Sequence, residues 1–356
     1  MKQVLIYCQH ILGMGHLARM LKLAQLLAPH AAVTLVSGGR PTPLFVPANI
    51  TFYQLTPLHS DASYQVLMPP PSLTLEEAWL QRETQLGQIA QHPWDACITE
   101  LFPFGRMGFA REISGFLTQL VRQSPRIKIL SSLRDLLTDP LTSTGEEMLR
   151  THYHGILVHS APELNPLSSF GQAHGTFQGV PYHCTGLLPP VHPRASAKED
   201  FAVLSLGGGA VGEELLRSTL ATQPSHKVRI FPGPYYAGPR HGEQHSNLVF
   251  ETESSHFASI LSAAQLSLSL AGHNTLSEAA LGGTFTLCYP LQGNAEQTRR
   301  ADIFADLGLA RVLTDADLAP KPLEKLIHKY YSSPVPLQAL PMANGVDLFR
   351  VLEGFS

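Results

Sequence analysis

The sequence predicts an α/β protein built from two Rossmann-like domains that face each other across a cleft. Three observations point there. Short β-branched or apolar runs alternate with helix-period segments, as in a parallel sheet with crossover helices. A glycine-rich turn follows the leading run of each series and opens a helix. A proline-rich stretch divides the chain into the two series.

The bulk properties agree with this class. A chain of 356 residues exceeds one ordinary domain. With 44% hydrophobic and 15% charged residues it can bury sizeable cores. A formal net charge of -3 provides no basic field for nucleic acid, which is not expected as a partner. The first residues already read as a strand, with no charged segment leading into an apolar signal region. Gly, Pro, His or a charge interrupts every apolar stretch, so no membrane-spanning segment is expected. Cys8, Cys97, Cys184 and Cys288 are scattered without CxxC spacing. A soluble protein of the reducing cytoplasm fits these features; the sequence leaves its oligomeric state open.

In the first series the strand candidates are 3–8, 33–36, 50–53, 96–99, 127–130 and 156–158. Leu17, Met20, Leu21, Ala24 and Leu27 share one helix face between the first two. Gly186, Pro189, Pro190 and Pro193 then suit neither helix nor central strand, so residues 186–198 are the expected linker. The second series has candidates at 201–206, 228–231, 248–250, 266–270, 285–289 and 310–313. The domains are thus expected at 1–185 and 199–340.

Four segments carry chemistry. The first is His10-Ile11-Leu12-Gly13-Met14-Gly15-His16, between a strand and an amphipathic helix. Gly13 and Gly15 permit a tight turn and a close ligand approach, and the helix start offers free N–H groups. His16 would project from that start; the alternative is a simple glycine turn. The second is Gly207-Gly208-Gly209, whose amides can cradle a pyrophosphate.

The third runs from Ser269 to Gly283. Gly272 makes the turn, His273-Asn274-Thr275 open a helix suited to phosphate, and Glu278 can accept two hydroxyl hydrogen bonds from a ribose. Upstream, Phe231 and Gly233 close a strand and are candidates to frame a base. The bland reading of Glu278 is complementation of the helix dipole. The fourth starts the helix after the strand 285–289, where Glu296 and Gln297 suit sugar hydroxyls or are ordinary first-turn polar residues. Asp315-Ala316-Asp317 has metal-binding DxD spacing, but it precedes a helix start, where Asp is the expected cap. No metal site and no cofactor are expected, and the 17 histidines are dispersed.

The second half, from Phe201 to about Leu313, resembles the carboxyl-terminal domain of family 28 glycosyltransferases. The resemblance rests on the triple-glycine loop, the Gly272…Glu278…Gly283 segment and the Glu296-Gln297 pair. Gly13-Met14-Gly15-His16 resembles the first glycine loop of that superfamily. The whole chain, with Thr99-Glu100-Leu101-Phe102-Pro103-Phe104-Gly105 and Ser132-Leu133-Arg134-Asp135, is similar to bacterial predicted glycosyltransferases. The resemblance implies a GT-B fold, with a helix in 341–356 packing back on the first domain. It also implies a nucleotide-sugar donor, favoured as a UDP-sugar, on the second domain and an acceptor on the first. The displacement would be inverting and metal-independent.

On that reading His16 is the candidate base, with Glu100 and Asp135, each just past a first-domain strand, in reserve. The amphiphilic basic membrane patch of the family 28 transferases that make lipid II is not found, so a small or soluble acceptor is expected. Alternatives are a nucleotide-sugar hydrolase or epimerase on the same fold and, from another class, a silent nucleotide-sugar binding protein.

Overall fold

The computed structural model of the protein describes residues 1–11, 15–41, 44–60, 66–136, 140–168, 171–190, 195, 197–208, 211–233, 236–238, 247–252, 256–332, 335 and 337–355. The chain divides into two units, Met1–Leu188 together with Met342–Ser356, and Pro189–Pro341. Each has its own sheet and its own cores.

The first unit contains β1 (Lys2–Cys8), α1 (Gly15–Leu27), β2 (Ala31–Ser37), β3 (Ile50–Gln54), a small ribbon of β4 (His59–Ser60) and β5 (Leu67–Met68), and α2 (Leu75–Ala90). Then come β6 (Ala96–Glu100), α3 (Ala110–Gln123), β7 (Lys128–Leu133), α4 (Ser143–His152), β8 (Gly155–Val158), β9 (His174–Phe177) and β10 (Val180–Cys184). The sheet order is β3-β2-β1-β6-β7-β8-β10-β9, parallel except for the β9–β10 pair. The order reverses between β1 and β6, the place where open α/β sheets leave a crevice at their carboxyl ends.

Alternation along β1 feeds a core on each face. Val4, Ile6 and Cys8 pack with α1 residues, while Leu5 and Tyr7 pack with Phe116, Leu117 and Leu120 of α3. A buried Arg82 on α2 ties the loops that follow β1 and β2. It donates to the carbonyls of Gly38 and Thr56, to Gln9 Oε1 and to both oxygens of Glu112. A buried guanidinium so fully bonded fixes backbone in a way an apolar side chain does not.

The second unit runs β11 (Phe201–Ser205), α5 (Glu213–Leu220), β12 (Lys227–Phe231), β13 (Leu248–Phe250), α6 (Phe257–Ala263), β14 (Leu266–Leu270), α7 (His273–Leu281), β15 (Thr286–Tyr289), α8 (Ala295–Asp306), β16 (Ala310–Val312) and α9 (Pro320–Ser332). Its all-parallel order, β13-β12-β11-β14-β15-β16, is the dinucleotide-fold order 3-2-1-4-5-6, with its reversal between β11 and β14. Leu204, Leu266 and Leu268 face Leu215, Leu323 and Ile327 on one side; Phe201 and Val203 face Leu261 and Ala279 on the other.

The chain leaves the first unit at Leu187–Leu188 and returns beside it, where the amide of Ala343 donates to the Leu187 carbonyl. A final helix, α10 (Gly345–Gly354), packs on α1. Beyond it the Phe355 ring fills the space a Cβ on Gly155 would need, only 2.3 Å from that position. Phe355 is 7% exposed in the same core as α1. Removing that ring leaves a cavity under β8. Phe355→Ala should therefore cost about 3–5 kcal/mol of stability, read by urea unfolding; a loss under about 1 kcal/mol would contradict the packing described.

Candidate functional site

In the first unit the site forms at the strand-order reversal. Gly15 opens α1, so His16 lies in the first helical turn. Glu100 is the last residue of β6, the strand beside β1. The two meet: His16 Nδ1 lies 2.6 Å from Glu100 Oε1. Arg19, one turn further along α1, donates to the same oxygen. Arg106 approaches the other oxygen at 3.6 Å. The Glu100 side chain is 0% exposed, whereas His16 keeps 22% of its surface open.

Burial alone would push the Glu100 carboxyl up, but His16, Arg106 and Arg19 overcome it and hold it well below the usual carboxylate range. Burial pushes His16 down, to about 4; Glu100 opposes this and Arg106 and Arg19 reinforce it. A neutral imidazole facing an acceptor-only carboxylate carries its proton on Nδ1, which leaves Nε2 as a base. The arginines explain the asymmetry: they spend the carboxylate's charge, so it orients the ring without protonating it.

The segment that carries Glu100 is strained. Leu101 and Arg106 both adopt φ of 63°, a left-handed region that non-glycine residues avoid. Such backbone clusters at functional sites, where surrounding structure must over-determine it. The Leu101 amide donates to the Ser132 carbonyl, and the Phe102 carbonyl accepts from Thr99 and Ser131 hydroxyls. Asp135, just past β7, is wholly buried, and its charge favours the protonated form of Arg19. Gly13 lies outside the described residues.

In the second unit the candidates gather at the carboxyl ends of β11, β14 and β15. Gly207 follows β11 with φ of 64°, Gly208 is exposed, and Gly209 lies outside the described residues. Gly212 ends the loop at φ of 90°, and a Cβ there would stand 2.8 Å from Leu270. Gly212 thus lies against the end of β14, a position that suits glycine alone. Gly272 forms the N-cap of α7 and has no side chain to cover the first turn of His273, Asn274 and Thr275. Glu278 is half-buried, three and four residues after Thr275 and Asn274, so it shares their helix face. Leu276, Ala279 and Ala280 take the buried face.

At the start of α8, Asn294 caps the helix by accepting from the Gln297 amide at 3.0 Å. Gln297 Oε1 accepts from the Leu291 amide at 3.1 Å, so its NH2 group is the outward donor. Glu296 accepts from Arg300 at 2.5 Å.

Two expectations need restating. The ring of Phe231 is 6% exposed and stands edge-on to Phe257 at 5.1 Å, so it belongs to the core; with Gly233 at φ of 90° the segment offers backbone rather than an aromatic face. In the DxD sequence the cap is Thr314, not an Asp: Asp317 completes its capping box, while Asp315 accepts from Tyr289 and Gln292. Among the described residues no group of three or more His, Cys, Asp or Glu side chains is placed to hold a metal ion.

Sequence reading missed Arg19, Arg106 and Arg300. Arg19 was findable, because i and i+3 share a helix face. Arg106 was not, because its reach depends on the left-handed turn.

Residues 219–347 match the model of the glycosyltransferase family 28 C-terminal domain. Residues 219–347 are thus similar to a family 28 C-terminal domain. A stretch of 90 residues is 36% identical to a UDP-N-acetylglucosamine--N-acetylmuramyl-(pentapeptide) pyrophosphoryl-undecaprenol N-acetylglucosamine transferase of Gloeothece citriformis (strain PCC 7424). That stretch is 25% of this chain and 25% of the relative. Among solved structures, the spinosyn forosaminyltransferase SpnP aligns with a TM-score of 0.63 at 14% identity, over 100% of this chain and 95% of that one. MurG of Acinetobacter baumannii aligns with a TM-score of 0.55 at 16% identity, over 99% of both chains. These two likenesses are of fold: two Rossmann-like units of the GT-B glycosyltransferase type.

The charge balance around Glu100 gives a stability test. Glu100→Gln leaves Arg19 and Arg106 buried without their counter-charge, and breaking such a pair costs about 3–5 kcal/mol. Urea unfolding at neutral pH should show that loss; a change within about 0.5 kcal/mol, the range of ordinary surface substitutions, would mean the cluster is not charged as described.

Proposed function

We propose that the protein is an inverting, metal-independent glycosyltransferase that moves a sugar from a UDP-sugar to a hydroxyl group, with His16 as the general base. The pairing of a neutral, partly open His16 with an ionised, buried Glu100 carries this reading, and the similarity of residues 219–347 to a family 28 C-terminal domain supports it. The Gly207–Gly209 loop and the start of α7 would take the diphosphate, Glu278 the ribose hydroxyls, and Glu296 with Gln297 the sugar.

In the reaction the acceptor hydroxyl gives its proton to His16 Nε2 as its oxygen attacks the anomeric carbon. The bond from that carbon to the diphosphate oxygen breaks on the opposite face, which inverts the configuration. Glu100, already ionised, stabilises the imidazolium that forms. UDP departs with its added charge held by backbone amides and a helix start. Asp315 and Asp317 are committed to Tyr289, Gln292, Thr314 and Arg311, which supports a leaving-group site without a metal.

The acceptor is drawn more widely than the small or soluble compound expected from sequence, since the relative from Gloeothece is named for an undecaprenol-linked one. No helix among the described residues is long and apolar enough to cross a membrane. The four cysteines are free and buried, and we place the protein in the reducing cytoplasm on that account. A hydrolase remains the second reading, because the same base activates water. Incubation with UDP-N-acetylglucosamine alone, then with soluble and polyprenyl-linked acceptors, separates the two by whether UDP release needs an acceptor.

Two variant sets test the assignments. Glu278→Ala should weaken UDP binding by about 10- to 150-fold, the worth of a hydrogen bond to a charged group; calorimetry showing unchanged affinity would remove Glu278 from the ribose. His16→Ala should slow turnover about 10²–10⁴-fold with donor affinity unchanged. His16→Gln should be almost as slow, because an amide cannot take the proton. Recovery of activity in the Gln variant would make His16 a hydrogen-bond donor to the leaving group, and near-normal turnover in the Ala variant would end the proposal.

A further inference from the structure

Arg300, in the middle of α8, is 1% exposed. Its Nη1 donates at 2.8 Å to the carbonyl of Ala271, the residue before the α7 cap. Its Nη2 donates at 2.5 Å to Glu296, one turn back on α8. A single buried side chain therefore grips the turn that precedes α7 and a carboxylate at the start of α8. Cys288, near the end of β15, lies close enough to feel its charge.

Burying a guanidinium costs free energy that its ion pair only roughly offsets, and a well-packed apolar residue gives equal or better stability. What the arginine adds is geometry. Its planar fork holds two acceptors at fixed angles, which neither a lysine nor an apolar side chain reproduces. The two elements it joins are those assigned above to the phosphates and ribose on one side and to the sugar on the other.

We propose that Arg300 is a positioning residue of the donor site, which sets the start of α7 and the Glu296 carboxylate in one rigid piece. The proposal rests on the donor site described under the proposed function. It also fixes the polarity of sugar recognition. Glu296 presents a carboxylate beside a buried cation, a group that accepts hydrogen bonds. Gln297, with its oxygen occupied by the Leu291 amide, donates. The pair thus suits a sugar with a free hydroxyl donated to Glu296 and an oxygen beside it that accepts from Gln297.

The test compares binding of UDP and of UDP-N-acetylglucosamine by the full chain, with melting temperature measured alongside. Arg300→Lys should weaken both ligands about 10-fold or more, the worth of one well-placed hydrogen bond. It should also shrink the ratio between them, because α7 and Glu296 are released together. A merely structural arginine would lower the melting temperature and leave both affinities at wild-type values well below it, and that result overturns the proposal.

Should Arg300→Lys not fold, Glu296→Gln decides. With its charged partner neutralised, Arg300 loosens its grip on Ala271, and amides of the first α7 turn should exchange with solvent about 10-fold faster; unchanged exchange there overturns the proposal. A wild-type protein that binds neither ligand would instead refute the donor site itself, and the exchange experiment still judges the clamp.

Discussion

The carboxylate of Glu100 is the constraint around which the first unit is organised. It is fully buried, so burial works against its charge, and the charge survives only because Arg19, Arg106 and His16 converge on it. The partners come from two structural sources. His16 and Arg19 share one face of α1. Arg106 reaches in from a segment bent through two left-handed residues. Removing the carboxylate would leave two buried arginines and an unoriented imidazole. The reversal of strand order between β1 and β6 is what places the end of one strand beside the helix start that follows the other.

The second unit solves a different problem with the same topology. Its reversal between β11 and β14 sets Gly212 against the end of β14, and on the proposed function backbone rather than side chains would line the donor site there. Backbone amides suit an anion because their dipoles are fixed by the fold and need no reorganisation. On the same proposal side chains would enter one step further out: the half-buried Glu278 on α7, and Glu296 and Gln297 at the start of α8. Each of these is held by a local bond or a helix face, which leaves its remaining polar group with a defined polarity.

The fold class was legible because it depends on patterns that parallel sheets enforce. Strands buried on both faces are near-continuous apolar runs, and all twelve expected runs coincide with strands to within a few residues. β9 and β10 escaped notice for the same reason. His174-Gly175-Thr176-Phe177 alternates at an edge with half its residues exposed, and Pro181 sits within β10, where a proline argues against a central strand. In the candidate site, placement was legible where a residue ends a strand or comes soon after one: Glu100 ends β6, Gly207 and Gly272 come just after strands, and His16 and Glu278 lie on the helices that come next. Partnership was not. That Glu100 stands behind His16 depends on register between β1 and β6, which one sequence does not encode locally. That Thr314 rather than Asp315 caps its turn depends on which of two adjacent polar residues adopts extended backbone.

The central claim is that burial, reinforced by Arg106 and Arg19 against the pull of Glu100, keeps His16 neutral, with its free nitrogen available as a base. Nitrogen NMR of the His16 imidazole across a pH titration measures this directly. The account predicts a neutral ring protonated on Nδ1 through the physiological range, gaining its second proton only as the pH falls to about 4. A ring that titrates near the ordinary histidine value of about 6.5, or that carries its neutral-state proton on Nε2, would contradict it.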